Sequence, residues 1–289
     1  MTKTKNLKPG QTYETATGKI EYTLQSDMMF HYVMQKSKGA LTGLVCALKG
    51  ISPSEVKDIH VENPIDLNNA AKETIMDIKL TLNNNEIMNI ELQTYPTNYW
   101  IFRSILYLCR AFDCIGSGDN YSDLKATTLY CITDQKLIPN AQPEFYAKYL
   151  LTNQANHKIY TEKFGINMLQ LNYTDLATKA DIDNKLVYWT NLFKATTWED
   201  FKALAKDNPA IEVGTMIFEL NYDNQAKELQ PIIDNLENKG IYIISSINYL
   251  LKRYILILTL SMLLCLHLTS IFICNIVRSV HPHICSFIK

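Results

Sequence analysis

Two short apolar runs separated by a polar turn stand out in the pattern of hydrophobic and polar positions. Residues 74–80 and 87–93 are rich in Ile, Leu and Met, and the turn between them, residues 83–86, consists of three asparagines and a glutamate. Apolar runs of this length that are bounded by an Asn cluster are typical of two strands joined by a turn. The pattern therefore predicts a β-hairpin.

Polar side chains interrupt both runs at alternate positions. Because successive side chains of a strand point to opposite faces, Asp77 and Lys79 share one face, and Glu91 and Gln93 share one face. If the register aligns them, two carboxylates converge near a lysine and an amide, and such oxygen ligands suit a hard divalent cation such as Mg²⁺. The alternative is the solvated face of an amphipathic sheet. The apolar flanks argue against it, since a carboxylate in a buried strand needs a partner.

Helical and strand-like patterns also occur elsewhere in the chain. Helical spacing begins near Asp27, which can cap the first helix. Arg103, Tyr107 and Arg110 fall at positions i, i+4 and i+7 of a predicted helix, which places them on one helical face. The predicted helices are residues 28–35, 40–49, 99–115, 181–193, 198–205 and 211–220, and the further predicted strands are residues 56–61 and 126–133.

The composition limits the classes of function. The chain has 289 residues, of which 47% are hydrophobic, and a formal net charge of −1. A packed core is therefore available, whereas tight nonspecific coating of DNA is not favoured, because nucleic-acid binders are often basic. The seven cysteines include no C-x-x-C pair, so neither a zinc site nor a disulfide framework is predicted. Glycine motifs for nucleotides, the H-x-x-x-H zinc spacing and a G-x-S-x-G nucleophile motif are also missing from the sequence.

The C-terminal segment differs in composition from the rest of the chain. All 29 acidic residues lie at or before Glu237, and residues 254–277 contain no charged side chain. This stretch is long enough to cross a bilayer at about 20 residues per crossing. Three interpretations stay open: a membrane anchor, an out-of-frame continuation of a gene whose normal C-terminus is lost, and an ordinary buried helix.

These shifts in composition predict three parts of the chain. They are a polar N-terminal segment at residues 1–23, a main domain at residues 24–237 and an apolar tail at residues 238–289. No secretory signal peptide opens the sequence, so the cytoplasm is the expected location. The alternative is attachment to a membrane through residues 254–277.

Four segments together resemble a known family. Asp77, the hairpin spacer and Glu91-x-Gln93 resemble the PD-(D/E)XK nuclease signature, in the variant that carries Gln where the usual motif has Lys. Three further segments resemble the recombination-promoting nuclease and putative transposase family of this superfamily, and the resemblance covers roughly residues 20 to 225. The further segments are residues 26–30, Arg103-x-x-x-Tyr107-x-x-Arg110 followed by Gly118-x-x-Tyr121-x-x-Leu124, and residues 128–132.

The resemblance implies a fold and an activity. The implied fold is α/β, a restriction-endonuclease-like mixed central sheet flanked by helices, here followed by an apolar C-terminal helical tail. The implied activity is that of a Mg²⁺-dependent DNA endonuclease (with Mn²⁺ as the other candidate metal) linked to recombination or transposition. DNA is the expected partner. A homodimer is an open alternative to a monomer, because cleavage of both strands by a single-site nuclease usually uses two active sites.

The resemblance also assigns roles around the hairpin. Asp77, Glu91 and the backbone carbonyl of Leu92 are the expected metal ligands. Gln93 takes the place of the motif lysine, and it can hydrogen-bond a water but carries no charge. Lys79 is the candidate on the neighbouring strand to supply that charge, unless it is a solvated strand lysine.

Three residues outside the hairpin complete the expected site. Arg103 and Arg110 are candidates for contacts with DNA phosphates, because the planar guanidinium matches phosphate oxygens. The alternative is that they pair with carboxylates such as Asp113 or Asp123. Asp27 matches an accessory acid that the family places near the metal, and a helix-capping role explains it equally well.

Two other functions compete with an active nuclease. Without the motif lysine, the chain can be a catalytically degenerate relative that keeps the fold as a DNA-binding or interaction module. It can also be a membrane-anchored protein in which the sheet carboxylates have no catalytic role.

Overall fold

The computed structural model describes residues 11–62, 77–83, 85–95, 98–116 and 118–223. These residues belong to one compact unit, which spans Met1–Tyr242. The start of the first predicted hairpin strand (residues 74–76), the proposed domain boundary at residue 237 and the apolar stretch at residues 254–277 lie outside the described residues. Within the described ranges, no helix combines the length and the apolar character needed to cross a bilayer.

The described part of the chain forms a mixed six-stranded sheet with the strand order β1-β2-β3-β4-β6-β5. The first three strands in this order are antiparallel neighbours, β3, β4 and β6 run parallel, and β5 is antiparallel to β6. The expected α/β fold class with a mixed central sheet is confirmed. The strands are β1 (Ile59–Val61), β2 (Asp77–Leu82), β3 (Glu86–Gln93), β4 (Ala126–Thr133), β5 (Tyr146–Thr152) and β6 (Ile159–Gln170).

The predicted helices are found, with one division. The segment predicted as a single helix at residues 181–193 is split into α4 and α5 near Lys185, which has a φ of 63° and so cannot continue a right-handed helix. The helices are α1 (Asp27–Lys36), α2 (Lys38–Lys49), α3 (Trp100–Phe112), α4 (Lys179–Asp183), α5 (Leu186–Lys194), α6 (Trp198–Leu204) and α7 (Asn208–Asn221).

The sequence pattern predicts that Asp27 caps α1, but the structure places another residue at the cap. Ser26 occupies the N-cap position with an extended backbone, and Asp27 is the first residue of the helix. A carboxylate in the first turn still interacts favourably with the positive end of the helix dipole. Asp27 is buried at this position.

The two faces of the sheet have different covers. On one face, Ile78, Leu80 and Ile90 pack into the main core together with side chains from α1, α2, α5, α6 and α7. On the opposite face, Leu129, Cys131 and Met168 pack against Trp100 and Leu108 of α3. We call the second side the α3 face. Alternation along the strands places Glu91 on this face, because its neighbour in β4 is Cys131.

The β5–β6 ribbon was not predicted from the sequence. All residues from 148 to 160 are exposed, so this segment shows no alternation of buried and exposed positions. The pairing of the two strands also shifts in register at Leu151. The signal that identifies half-buried strands is therefore missing from the outer end of the ribbon, whereas Met168 and Leu169 at its other end are buried.

The contact between α7 and the N-terminal segment leads to a stability prediction. A Cβ added at Gly214 would lie 2.5 Å from the ring of Tyr13, which is buried and packs edge-on against Trp198. We therefore expect Gly214→Ala to lower the free energy of unfolding by about 1–3 kcal/mol. Urea denaturation measures this difference.

Gly39 provides the matched control within another helix. A Cβ at Gly39 would meet Pro209 at 3.5 Å, which is an ordinary van der Waals contact. Gly39→Ala should leave the stability unchanged or raise it by up to about 1 kcal/mol through helix propensity. Equal effects of the two substitutions would contradict close packing at Gly214.

Candidate active site

The register of the hairpin brings the predicted acidic positions together. In the antiparallel pair of β2 and β3, Asp77 lies directly opposite Glu91, and Lys79 lies directly opposite Asn89. Residues that are directly opposite in an antiparallel pair share one face of the sheet and lie about 4.5–5.5 Å apart at Cβ. The backbone therefore places Asp77, Lys79, Asn89 and Glu91 on the α3 face.

Glu91 is almost completely buried and has a cationic partner. Its side chain is 2% exposed, and its Oε1 lies 2.5 Å from Nη2 of Arg103, whose side chain is 13% exposed. A buried carboxylate of this kind needs a charge or donors close by, because its desolvation costs several kcal/mol. Arg103 does pair with a carboxylate, but the partner is Glu91 and not Asp113 or Asp123 as considered from the sequence.

Gln93 holds the other side of the same guanidinium. Nη1 of Arg103 donates a hydrogen bond of 3.0 Å to Oε1 of Gln93, and Nε2 of Gln93 donates one of 2.6 Å to the carbonyl of Tyr95. The backbone carbonyl of Gln93 accepts a 2.7 Å bond from Oγ1 of Thr133 in β4. Both ends of the amide are therefore engaged, and the end of β3 is tied to β4.

The position of α3 explains why Arg103 reaches the sheet. Trp100 and Leu108 are buried against β4 and β6 and fix the helix over the α3 face. Arg103 follows Trp100 by three residues and therefore lies on the same side of the helix. Its guanidinium carbon lies 5.1 Å from the ring centre of Tyr107, one turn later, in a cation–π contact. Arg110 is exposed in the last turn.

Lys79 has a different carboxylate partner. Its Nζ lies 2.9 Å from Oε2 of Glu62, and the Lys79 side chain is 36% exposed. Burial raises the pKa of the Glu62 carboxyl, but hydrogen bonds from Thr81 and Lys79 outweigh this effect, so the pKa is lowered. Lys79 of β2 therefore forms an ion pair with the residue that follows β1. Sequence reasoning missed Glu62, because its contact with Lys79 depends on the pairing of β1 with β2, which the pattern of either strand does not show.

Asn89 is a second residue that sequence reasoning missed. It is 3% exposed, and its Oδ1 accepts no hydrogen bond from any residue in the described ranges. It precedes Glu91 by two positions, and this same-face spacing was the available signal. Asn89 therefore adds an amide oxygen beside the Glu91 carboxylate.

Cys131 lies on the other side of Glu91, in β4. Burial raises the pKa of the Cys131 thiol well above its usual range, and the nearby Glu91 charge raises it further. The thiol is therefore neutral at physiological pH. A neutral, fully buried thiol acts as a packing group rather than as a nucleophile or a metal ligand.

Asp27 belongs to a different layer of the molecule. The helix that carries it, α1, packs chiefly against α2 and α7. His31 is buried one turn after Asp27, and sequence reasoning gave it no role. The role of Asp27 as an accessory acid stays a prediction.

The donor atoms on the α3 face fit a hard divalent cation. Glu91 offers carboxylate oxygens and Asn89 an amide oxygen on this face, and oxygen-only ligand sets favour Mg²⁺ or Mn²⁺ over Zn²⁺. In the ranges that the structure describes, no three His, Cys, Asp or Glu side chains are grouped so that they could hold a metal ion. What these ranges show is a pair of facing acidic positions on the hairpin, and a metal at this point stays a prediction.

The chain was compared with models of known protein families. The model of the PD-(D/E)XK nuclease family transposases matches residues 24–231, which is more than half of the 289 residues. This range contains the hairpin, α3 and all six strands. No curated protein and no solved structure matches the chain.

The buried ion pair leads to a stability prediction. Arg103→Met removes the guanidinium that contacts Glu91 but keeps an apolar side chain over Tyr107. Because one partner of a buried pair is lost, we expect the free energy of unfolding to fall by about 3–5 kcal/mol. Urea denaturation at neutral pH measures the change.

Arg110→Met is the matched control on the same helix. It removes the same charge from an exposed position, where substitutions usually change stability by less than about 0.5 kcal/mol. If Arg103→Met costs no more than Arg110→Met, the ion pair does not contribute to stability as the geometry indicates.

Proposed function

The chain belongs to the PD-(D/E)XK nuclease family transposases, and from this premise we propose that it is a metal-dependent DNA endonuclease that acts in recombination or transposition. One observation carries the proposal most directly. Asp77 and Glu91 are cross-strand neighbours on one face, and the second of them is a buried carboxylate beside a guanidinium. A buried carboxylate beside a charged partner is one of the features by which a candidate functional site is recognised.

The proposed metal ligands are Asp77, Glu91 and the backbone carbonyl of Leu92, with the amide oxygen of Asn89 as a neighbouring donor. The proposed ion is Mg²⁺ or Mn²⁺. When bound, such an ion acts as a Lewis acid toward a phosphate and lowers the pKa of a coordinated water. The oxygen-only donor set of the α3 face supports this choice.

The reaction is the hydrolysis of a phosphodiester in DNA. A water oxygen forms a new bond to phosphorus while the bond from phosphorus to one ester oxygen breaks. A proton leaves the attacking water and the departing oxygen gains one, so the products are a phosphate monoester and a free hydroxyl. Since no redox step occurs, the site needs no other cofactor.

The cationic residues are proposed to bind DNA. Arg103 and Arg110 lie on one face of α3 and are the proposed contacts to phosphate oxygens, for which the guanidinium fork is suited. Lys79 adds a charge at the β2 side of the hairpin, and Asp27 remains the proposed accessory acid. The whole chain is nearly neutral, so we expect binding to depend on these local charges rather than on a broad basic surface.

Replacement of the two acidic residues tests the proposal. In a plasmid nicking assay with Mg²⁺ or Mn²⁺, we expect the full-length chain to cut DNA. Addition of EDTA should abolish this cleavage. Asp77→Asn and Glu91→Gln should each lower the rate by more than about 100-fold, because ligands of a catalytic ion contribute several kcal/mol to the transition state.

Lys206→Met is the control, since this exposed lysine lies between α6 and α7 in the layer on the other face of the sheet. It should cut DNA at the wild-type rate. If pure Glu91→Gln protein still nicks the plasmid, the assignment of the metal site to this hairpin is wrong. A folded wild-type chain without any cleavage would instead identify a nuclease fold that serves as a DNA-binding or interaction module.

A further inference from the structure

The α3 face contains one cation that is held by two site residues at once. The guanidinium of Arg103 contacts Glu91 through Nη2 and Gln93 through Nη1. We propose that Arg103 supplies, from the helix, the positive charge that stabilises the reacting phosphate, and that Gln93 is the acceptor that positions it. This inference rests on the proposed nuclease function and assigns the charge within the same site.

The first support is chemical. Negative charge increases on the non-bridging oxygens of a phosphodiester as a water attacks, and a fixed cation nearby lowers the barrier. Position 93 is two residues after Glu91 on the same face, but its glutamine is neutral. A charge at this point of the sheet must therefore come from another element, and among the described residues Arg103 is the cation that contacts both Glu91 and Gln93.

The second support is a comparison with Lys79. The Lys79 side chain is 36% exposed and its ammonium pairs with Glu62. The Arg103 side chain is 13% exposed, and a charge in a drier environment interacts more strongly with its neighbours. Its planar fork is also held by three contacts, to Glu91, Gln93 and the ring of Tyr107. The arginine is thus the better preorganised of the two cations.

The third support is the choice of an amide at position 93. Oε1 of Gln93 accepts from Arg103, while Nε2 donates to the carbonyl of Tyr95. A lysine at this position has no acceptor and would place an ammonium against the guanidinium. The amide is therefore matched to an arginine on α3. With both ends engaged, its role is to hold Arg103 rather than to bind a water.

Two substitutions of Arg103 separate its charge from its hydrogen bonds. Arg103→Lys keeps the positive charge, whereas Arg103→Gln keeps donors without charge. We expect single-turnover cleavage to fall by about 100-fold in Arg103→Gln and by less than about ten-fold in Arg103→Lys. The dissociation constant for DNA, measured without metal, should change much less than the rate. Lys206→Met again serves as the control with wild-type activity.

A charge swap gives the sharper test. Gln93→Lys alone should lower both activity and stability, because two cations then face each other. In Gln93→Lys/Arg103→Met, the ammonium at position 93 replaces the lost guanidinium, so the double variant should cleave at least ten times faster than either single variant. In urea denaturation, the double variant should lose less free energy of unfolding than the sum of the losses in the two single variants. This measurement is independent of cleavage.

The outcomes separate the two proposals. Equal cleavage by Arg103→Lys and Arg103→Gln, with both proteins folded by circular dichroism, would overturn the role of the Arg103 charge. A folded double variant without any recovery of rate or stability would overturn it as well. Wild-type protein that does not cleave DNA at all would overturn the proposed function, and the role of Arg103 with it.

Discussion

A nearly fully buried carboxylate must have a counter-charge close by, and the arrangement of the α3 face follows from this requirement at Glu91. Glu91 lies in β3, between β2 and β4, so its strand neighbours on this face are Asp77 and Cys131. Neither neighbour supplies a positive charge. The counter-charge comes instead from the layer above the sheet, where Trp100 fixes α3 and Arg103 reaches down to Glu91.

The two faces of the sheet are packed differently, and this packing supports the ion pair between Glu91 and Arg103. Side chains from five helices share the main core with Ile78 and Ile90, so β2 and β3 rest on a closely packed interior. On the opposite face, α3 contacts β3, β4 and β6. The acidic positions therefore lie on fixed strands, and the guanidinium lies on a single helix that packs over them. A site built on strands holds its geometry better than one built on loops.

The sequence predicted local features of this site well and non-local ones poorly. Alternation gave the shared faces of the hairpin, because the two strands are adjacent in sequence and the short Asn turn fixes their register. Helical periodicity placed Arg103 and Arg110 on one face of a helix, but it could not show that only the first reaches Glu91. That depends on where α3 crosses the sheet, which tertiary packing decides. The same limit applies to Lys79, because its partner Glu62 follows β1, and the pairing of β1 with β2 cannot be read from the pattern of either strand.

The positive charge beside Glu91 is carried by a helix, α3, and not by the strand that carries Glu91 itself. A lysine on β3 would be tied to the same rigid backbone as Glu91, and its ammonium would move only with its own rotamers. Arg103 has a long side chain on a separate helix, and its contacts to Glu91 and Gln93 run through different nitrogens. In the proposed role, both contacts hold the guanidinium in place, and its charge acts on the reacting phosphate. An amide at position 93 suits this arrangement, because it accepts a hydrogen bond without adding a charge that would compete with the guanidinium for Glu91.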